Sequence, residues 1–207
     1  NALGQGVVLS SDGWVVTTKQ VVVGTRGNYM VATADGELRA VNLVVADPAT
    51  ELVYLKVAAS NLTAAAFTRP NDINIGEQIV AVAINSQSGK RGGTPRFLVG
   101  ISSSGIVTNN NELIKSSENI NDVLVMDSEL PNNWHGAVVA NMSGKVIGLA
   151  IAADNVIKYV YPLSTIDKVV STLFTSSKVI RPTLGVNYLS LTSALPFLEA
   201  KADWPTN

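Results

Sequence analysis

Cysteine is absent from the 207 residues and histidine occurs once, as His135. Disulfides are therefore excluded, as are zinc sites built from cysteine or from several histidines, while carboxylate sites for calcium or magnesium stay open. Neither a metal nor a cofactor is expected. Charge is sparse and balanced, with 15 Lys and Arg against 16 Asp and Glu for a net −1, so no basic field draws nucleic acid or anionic lipid. Nucleic acid is not an expected partner. The longest apolar run, Val146 to Ala153, is far too short to cross a bilayer, so no membrane insertion is expected. The chain opens at Asn1 without a Met or a secretory leader, which suggests either processing or a chain trimmed at its start, with any targeting segment or anchor upstream. No internal repeat or low-complexity tract is present.

What is there is a globular composition, 46% hydrophobic with 16 glycines, long enough to bury a real core. Short runs rich in Val, Ile, Thr and Tyr read as strands: Gly6 to Ser10, Trp14 to Thr18, Asn28 to Thr33, Glu37 to Val45 and Val53 to Val57. A second series covers Gln78 to Ile84, Phe97 to Ser102, Val123 to Asp127, Ala137 to Ala140, Lys145 to Ile151 and Lys158 to Tyr161. Asp12-Gly13, Asp35-Gly36 and Ser143-Gly144 supply hairpin turns. The fold class is therefore all-β, two β halves meeting near residues 69–76, a pattern that suits paired barrels. Residues 164–176 break it with Ile166, Val169, Val170, Leu173 and Phe174 at helical spacing behind a Ser164 cap. The loop Lys90 to Arg96 is the one local concentration of positive charge and reads as a solvated hairpin loop.

Three stretches resemble the HtrA/Deg family of trypsin-like serine proteases, in order and without gaps. Gly6 to Val22 is similar to G-V-I-I-S-S-D-G-Y-I-V-T-N-N-H-V-V, with Gln20 at the catalytic His position. Asp47 to Val57 is similar to D-P-R-T-D-L-A-L-L-K-I, with Glu51 at the position of the Asp that orients that His. Asn132 to Val139 takes the place of P-G-N-S-G-G-P-L, with His135 at the nucleophile position. The resemblance implies two six-stranded antiparallel barrels with a cleft between them: a trypsin-like domain over 1–178, its barrels at about 1–72 and 73–163. It also implies that 179–207 is a linker and the opening of an incomplete PDZ-like segment, since Leu184-Gly185-Val186 looks like that domain's first strand. Trimers in the family use a segment ahead of the first barrel strand, so a homo-oligomer is left open. An extracytoplasmic location, in the periplasm or at the cell surface, follows from the resemblance alone, with any anchor outside this chain.

Acyl transfer by this template needs a hydroxyl nucleophile, an imidazole base and a carboxylate that fixes its tautomer. Glu51 for Asp is the mildest of the three departures. Gln20 is decisive, because a neutral carboxamide has no basic site near pH 7. His135 is nucleophilic in principle but lacks a base and an orienter. Removing the Ser or the His alone from such a site costs on the order of 10⁶ in turnover, so ordinary proteolysis is expected to be absent. Three unlike substitutions point to a natural pseudoenzyme, where a single Ser replacement would suffice for deliberate inactivation.

The family's oxyanion hole corresponds to the backbone N–H groups of Asn133 and His135, and Asn is among the residues that best tolerate the positive φ a glycine would supply there. Trp134, Gly136 and Ala137 are the cleft candidates; Trp134 either overlies the cleft or packs against its own loop. A lone histidine is more often structural than functional, so the alignment gives His135 a location and not an activity. Ser128 and Ser143 are weaker candidates for a displaced nucleophile, Ser143 lying in a hairpin turn and Ser128 having no imidazole assigned to it. The expected function is a non-catalytic scaffold that binds an unidentified peptide or protein partner. Two alternatives stand beside it: a hydrolase rebuilt around His135 and Glu51, and a structural assembly module with a closed cleft.

Overall fold

The computed structural model describes residues 4–22, 24, 27–84, 91–103, 106–107, 113–116, 122–153, 155–164, 166–181 and 184–188. The N-terminal strands are β1 (Val7–Val8), β2 (Trp14–Thr18), β3 (Met30–Ala32), β4 (Leu38–Ala46) and β5 (Leu52–Val57). They form one antiparallel sheet in the order β1-β2-β5-β4-β3. Turn chemistry sets the first hairpin: Gly13 has φ 106°, and a Cβ there would run into the Val57 carbonyl oxygen, so the Asp12-Gly13 pair tolerates no side chain at its second position. This half is a half-barrel of five described strands where a closed barrel of six was expected. Among the described residues β1 pairs only with β2 and β3 only with β4, so no described pairing joins the two ends of the sheet.

The second half closes. β6 (Gln78–Ile84), β7 (Arg91–Ser103), β10 (Asp122–Leu130), β11 (Val138–Asn141), β12 (Val146–Ala153) and β13 (Val156–Pro162) form a barrel in the order β10-β13-β12-β11-β6-β7. Its interior holds Ile79, Ala81, Leu98, Met126, Val139, Ile147, Ile157 and Val160, all buried. Between β7 and β10 lie β8 (Ile106–Val107) and β9 (Leu113–Ser116), and β9 also pairs with β14 (Asn187–Tyr188).

Two expectations are corrected here. Arg91 to Arg96 is not a loop but the first half of β7, in register with β6 from Ile84↔Arg91 to Gln78↔Phe97. Exposure alternates along it, so Arg91, Gly93 and Pro95 face out while Arg96 turns in to donate to the Glu129 carbonyl at 2.7 Å. The helix, α1, covers Asp167–Ser176 and begins after Ile166 with no side-chain cap, so Ser164 does not serve as its N-cap. Its buried stripe is Ile166, Val169 and Leu173, as the spacing predicts, while Phe174 stays partly exposed and stacks on Trp14 with ring centroids 6.2 Å apart. Of the PDZ-like opening, Leu184, Gly185 and Val186 are exposed, and residues 189–207 lie outside the described residues.

The halves share a core. One cluster joins Val7, Trp14, Val16, Leu52 and Tyr54 of the first half to Val123, Val146, Leu149, Ile151 and Tyr161 of the second, and to Leu163, Ile166, Val169 and Leu173 around α1. The connecting segment supports it: the Val146 N–H donates to Ala66 at 2.8 Å and the Thr68 N–H to Val146 at 2.9 Å. Whatever forms between the ends of β2, β5 and β11 is therefore held from both sides.

Candidate functional site

Gln20 sits in the turn that ends β2, where the Val21 and Val22 N–H groups both donate to the Thr18 carbonyl, at 3.0 and 3.2 Å. Pairing of Thr18 with Leu52 brings the start of β5 alongside, and the Lys19 N–H donates to the Glu51 carbonyl at 2.8 Å. The backbone thus places residues 20 and 51 side by side. Their side chains do not meet. Gln20 reaches across to the second half: its Nε2 donates to the Ala152 carbonyl at 2.7 Å, and its Oε1 accepts from the Ala152 N–H at 2.8 Å. Glu51 is half-buried.

His135 lies in the loop from Pro131 to Ala137 between β10 and β11. The Trp134 N–H donates to Pro131 at 2.9 Å, the Ala137 N–H to Trp134 at 3.0 Å, and the Gly136 N–H to Ala150 at 3.0 Å. The N–H groups of Asn133 and His135 donate to no described residue. These are the two groups at the expected oxyanion positions. Asn133 is exposed and does not use the positive φ that asparagine would tolerate; in this loop only Gly136 does, at 71°. The His135 carbonyl accepts from the Gln5 N–H at 3.1 Å, while its Nδ1 is buried without a partner.

Two of the three cleft candidates serve packing. Ala137 is fully buried inside the barrel. Gly136 is buried, and a Cβ there would strike the Gln5 carbonyl oxygen and come within 3.1 Å of Val21 Cγ2. Trp134 is half-buried against the barrel's core, its Cζ2 3.6 Å from where a Cβ on Gly92 would stand. It therefore packs on β7 next to its own loop.

A model of the trypsin-like peptidase domain matches residues 4–149. The chain belongs to the HtrA-type trypsin-like peptidases. It is 31% identical to a probable periplasmic serine endoprotease, DegP-like, of Brucella suis over 92% of its own length and 36% of the relative's, and 28% identical to the putative serine protease HhoB of Synechocystis over 91% and 44%. It thus spans about a third of the length of the first of these curated relatives. Among solved structures it resembles the HtrA-type protease AlgW with decapeptide, with a TM-score of 0.69 at 24% identity over 94% of this chain and 59% of that one. Deg5 matches with a TM-score of 0.64 at 20% identity over 85% of each chain.

Within this HtrA-type frame, the turn carrying Gln20 lies against the loop carrying His135, since a Cβ on Gly136 would stand 3.1 Å from Val21 Cγ2, and the Lys19 N–H holds the Glu51 carbonyl beside it. No side-chain hydrogen bond connects Gln20, Glu51 and His135 to one another among the described residues. The alternative serines lie apart from any imidazole hydrogen bond. The exposed Ser128 hydroxyl donates to Asp127 at 3.4 Å, and Asp127 is held below the usual carboxylate range chiefly by the Phe97 N–H. Ser143 lies in the turn before Gly144, where Asn141 Oδ1 accepts from its N–H at 3.1 Å. Among the described residues no cluster of metal-ligating side chains occurs, and no helix is long and apolar enough to cross a membrane.

Two participants escaped the sequence reading. Gln5 joins three elements: its N–H bonds His135, its carbonyl accepts the Thr17 hydroxyl at 2.7 Å, and its Oε1 accepts the Ile84 N–H at 2.7 Å. Ala152 is the partner of Gln20. Neither carries a side-chain signal, Gln5 preceding the first strand and Ala152 acting through its backbone. The one usable clue is length, because the β12 run extends past the span that β11 can cover.

Proposed function

We propose that this chain is a non-catalytic HtrA-type domain that recognises an extended polypeptide segment without cutting it, in an extracytoplasmic compartment. The observation that carries the reading is the state of Gln20: the group at the base position is a carboxamide, and both of its polar atoms are bonded to Ala152. A carboxamide accepts no proton near neutral pH, and one tied to the backbone cannot orient a nucleophile either. The chain's one imidazole stands at the nucleophile position, with no carboxylate hydrogen-bonded to it among the described residues. Loss of base or nucleophile alone lowers turnover by about 10⁶ in this mechanism. Support for the ligand class comes from AlgW, a fold neighbour described with a decapeptide, and support for the compartment from relatives named as periplasmic.

The test is hydrolysis of unfolded casein and of a peptide ester by the purified chain. Turnover at background level is expected; turnover abolished by a serine-reactive phosphonate would sink the reading, and its loss on Ser128→Ala or Ser143→Ala would locate the nucleophile. A second reading, a structural module with a closed cleft, is favoured by the same contact, because Gln20 covers the backbone edge that a peptide would use.

A further inference from the structure

The chain leaves its helix by a narrow path. Ser177 closes α1 in the left-handed region at φ 57°, its N–H donating to Leu173 at 2.9 Å. After it Lys178 and Ile180 are exposed, and only Val179 leans on the shared core. Arg181 then turns inward and forks onto Asp47, with both side chains buried. Residues 177–181 thus lie as a strap over the first half, fastened by one side chain. Beyond the fastening, Leu184, Gly185 and Val186 are exposed again.

The fastening point is the turn that leads to position 51. The Asp47 N–H donates to Leu52 at 3.0 Å, the Ala49 N–H to the Asp47 carboxylate at 3.0 Å and the Leu52 N–H to Thr50 Oγ1 at 3.2 Å. The Asp47 carboxylate is therefore both an internal acceptor of the turn and the anchor of the strap. Among the described residues Arg181 is its one ion-pair partner. The neighbouring Tyr54 and Tyr161 phenols are kept protonated, first by burial, and bring no positive charge. A buried carboxylate that loses its counter-charge draws in water or moves toward solvent, and the turn moves with it. From that turn two contacts lead across the molecule. The Lys19 N–H donates to the Glu51 carbonyl at 2.8 Å, and the next residue, Gln20, is bonded to Ala152 of the second half at 2.7 and 2.8 Å.

We propose that residues 177–181 are a releasable strap, with Arg181 a positioning residue that acts through Asp47 and Glu51 on the contact between Gln20 and Ala152. With the strap down, the turn at 47–51 is fixed and Gln20 stays bonded across the halves. With the strap up, Asp47 and Arg181 both hydrate, the turn loosens and Gln20 leaves Ala152. The input is movement of the segment that follows Arg181, and the output is the state of position 20. A coupling free energy acts in both directions, so freeing Gln20 also loosens the strap. The strap acts in this way whatever the site binds.

Native-state amide exchange is compared in the unchanged chain, Arg181→Gln, Arg181→Lys and Ile79→Ala, the last a truncation inside the closed barrel that lowers global stability away from the strap. In Arg181→Gln the Lys19 and Ala152 amides are expected to gain about tenfold in exchange rate relative to the amides of β6 and β11. Arg181→Lys is expected to give a smaller gain, because an ammonium keeps the charge but not the fork. Ile79→Ala is expected to leave the ratio as it is in the unchanged chain. The reverse direction is read from a spin label at Ile180→Cys, the sole thiol in a chain without cysteine, whose mobile fraction is expected to rise about twofold when Gln20→Ala is added. Uniform acceleration at all of these amides in Arg181→Gln, as in a fold that is merely less stable, overturns the coupling. A label that Gln20→Ala leaves unchanged overturns it as well. Should circular dichroism show Arg181→Gln unfolded, Arg181→Lys and the label carry the same decision.

Discussion

Asp47 and Arg181 form a buried ion pair that ties residue 181 to the turn before β5. Their side chains are 0% and 8% exposed, and Arg181 binds the carboxylate in fork fashion, Nε at 2.9 and 3.0 Å and Nη2 at 2.7 Å. The Ala49 N–H donates to the same carboxylate at 3.0 Å, which shapes the turn carrying Glu51. Tyr54 and Tyr161 lie close by; burial first and the Asp47 charge second push both phenols well above their usual range. Removing one partner of a buried pair leaves an uncompensated charge, so Arg181→Ala is expected to cost about 3–5 kcal/mol. Arg181→Lys should recover only part of this, since an ammonium does not reproduce the planar fork. Urea midpoints of the three proteins check it, and a loss under about 1 kcal/mol for Arg181→Ala would show that the pair is solvated in solution.

At the scale of elements, the 131–137 loop is held by close approach as much as by hydrogen bonds. Gly136 at φ 71° abuts the Gln5 carbonyl, so Gly136→Ala combines a disfavoured backbone angle with a backbone clash and is expected to cost about 3 kcal/mol. Gly92→Ala is the control. Its Cβ would meet Trp134 at an ordinary 3.6 Å, and a change within about 1 kcal/mol is expected from equilibrium unfolding. Equal effects would mean that the loop relaxes away from Gln5.

The same contacts explain which parts of the chain were legible in its sequence. Strands with a buried face and a D-G or S-G turn beside them, such as β2 and β12, announce themselves through β-branched runs. The start of β7 does not, because Arg91-Gly92-Gly93-Thr94-Pro95 has turn composition and becomes strand only through its ladder with β6. β8, β9 and β14 are too short to show a period. The helix boundary slipped because Ser164 matches a cap by type, while Ile166 occupies the capping position without a side-chain bond. Positions 20, 51 and 135 could be aligned with a family, but the engagement of Gln20 with Ala152 could not be foreseen. It joins residues 132 apart through a backbone group that has no sequence signature.

Taken as a whole molecule, the two halves each bury a cluster of their own and meet over a third, formed by Trp14, Leu52, Tyr54, Leu149, Tyr161 and Leu173, to which both contribute. The site has the same division: Gln20 and Glu51 come from the first half, His135 and Ala152 from the second. A shared core makes the halves thermodynamically interdependent, and the Gln20 to Ala152 contact can keep its geometry only while they stay docked. Leu52→Ala and Ile79→Ala separate the consequences. Both residues are fully buried, Leu52 in the shared cluster and Ile79 inside the closed barrel, and each truncation is expected to cost about 2–5 kcal/mol. If the halves unfold as one unit, amide exchange in β5 and in β12 accelerates together in both variants, and urea midpoints read from the two strands coincide. Exchange that rises only in β5 for Leu52→Ala and only in β12 for Ile79→Ala would show that the halves open independently. The contact of Gln20 with Ala152 would then be lost whenever the halves separate.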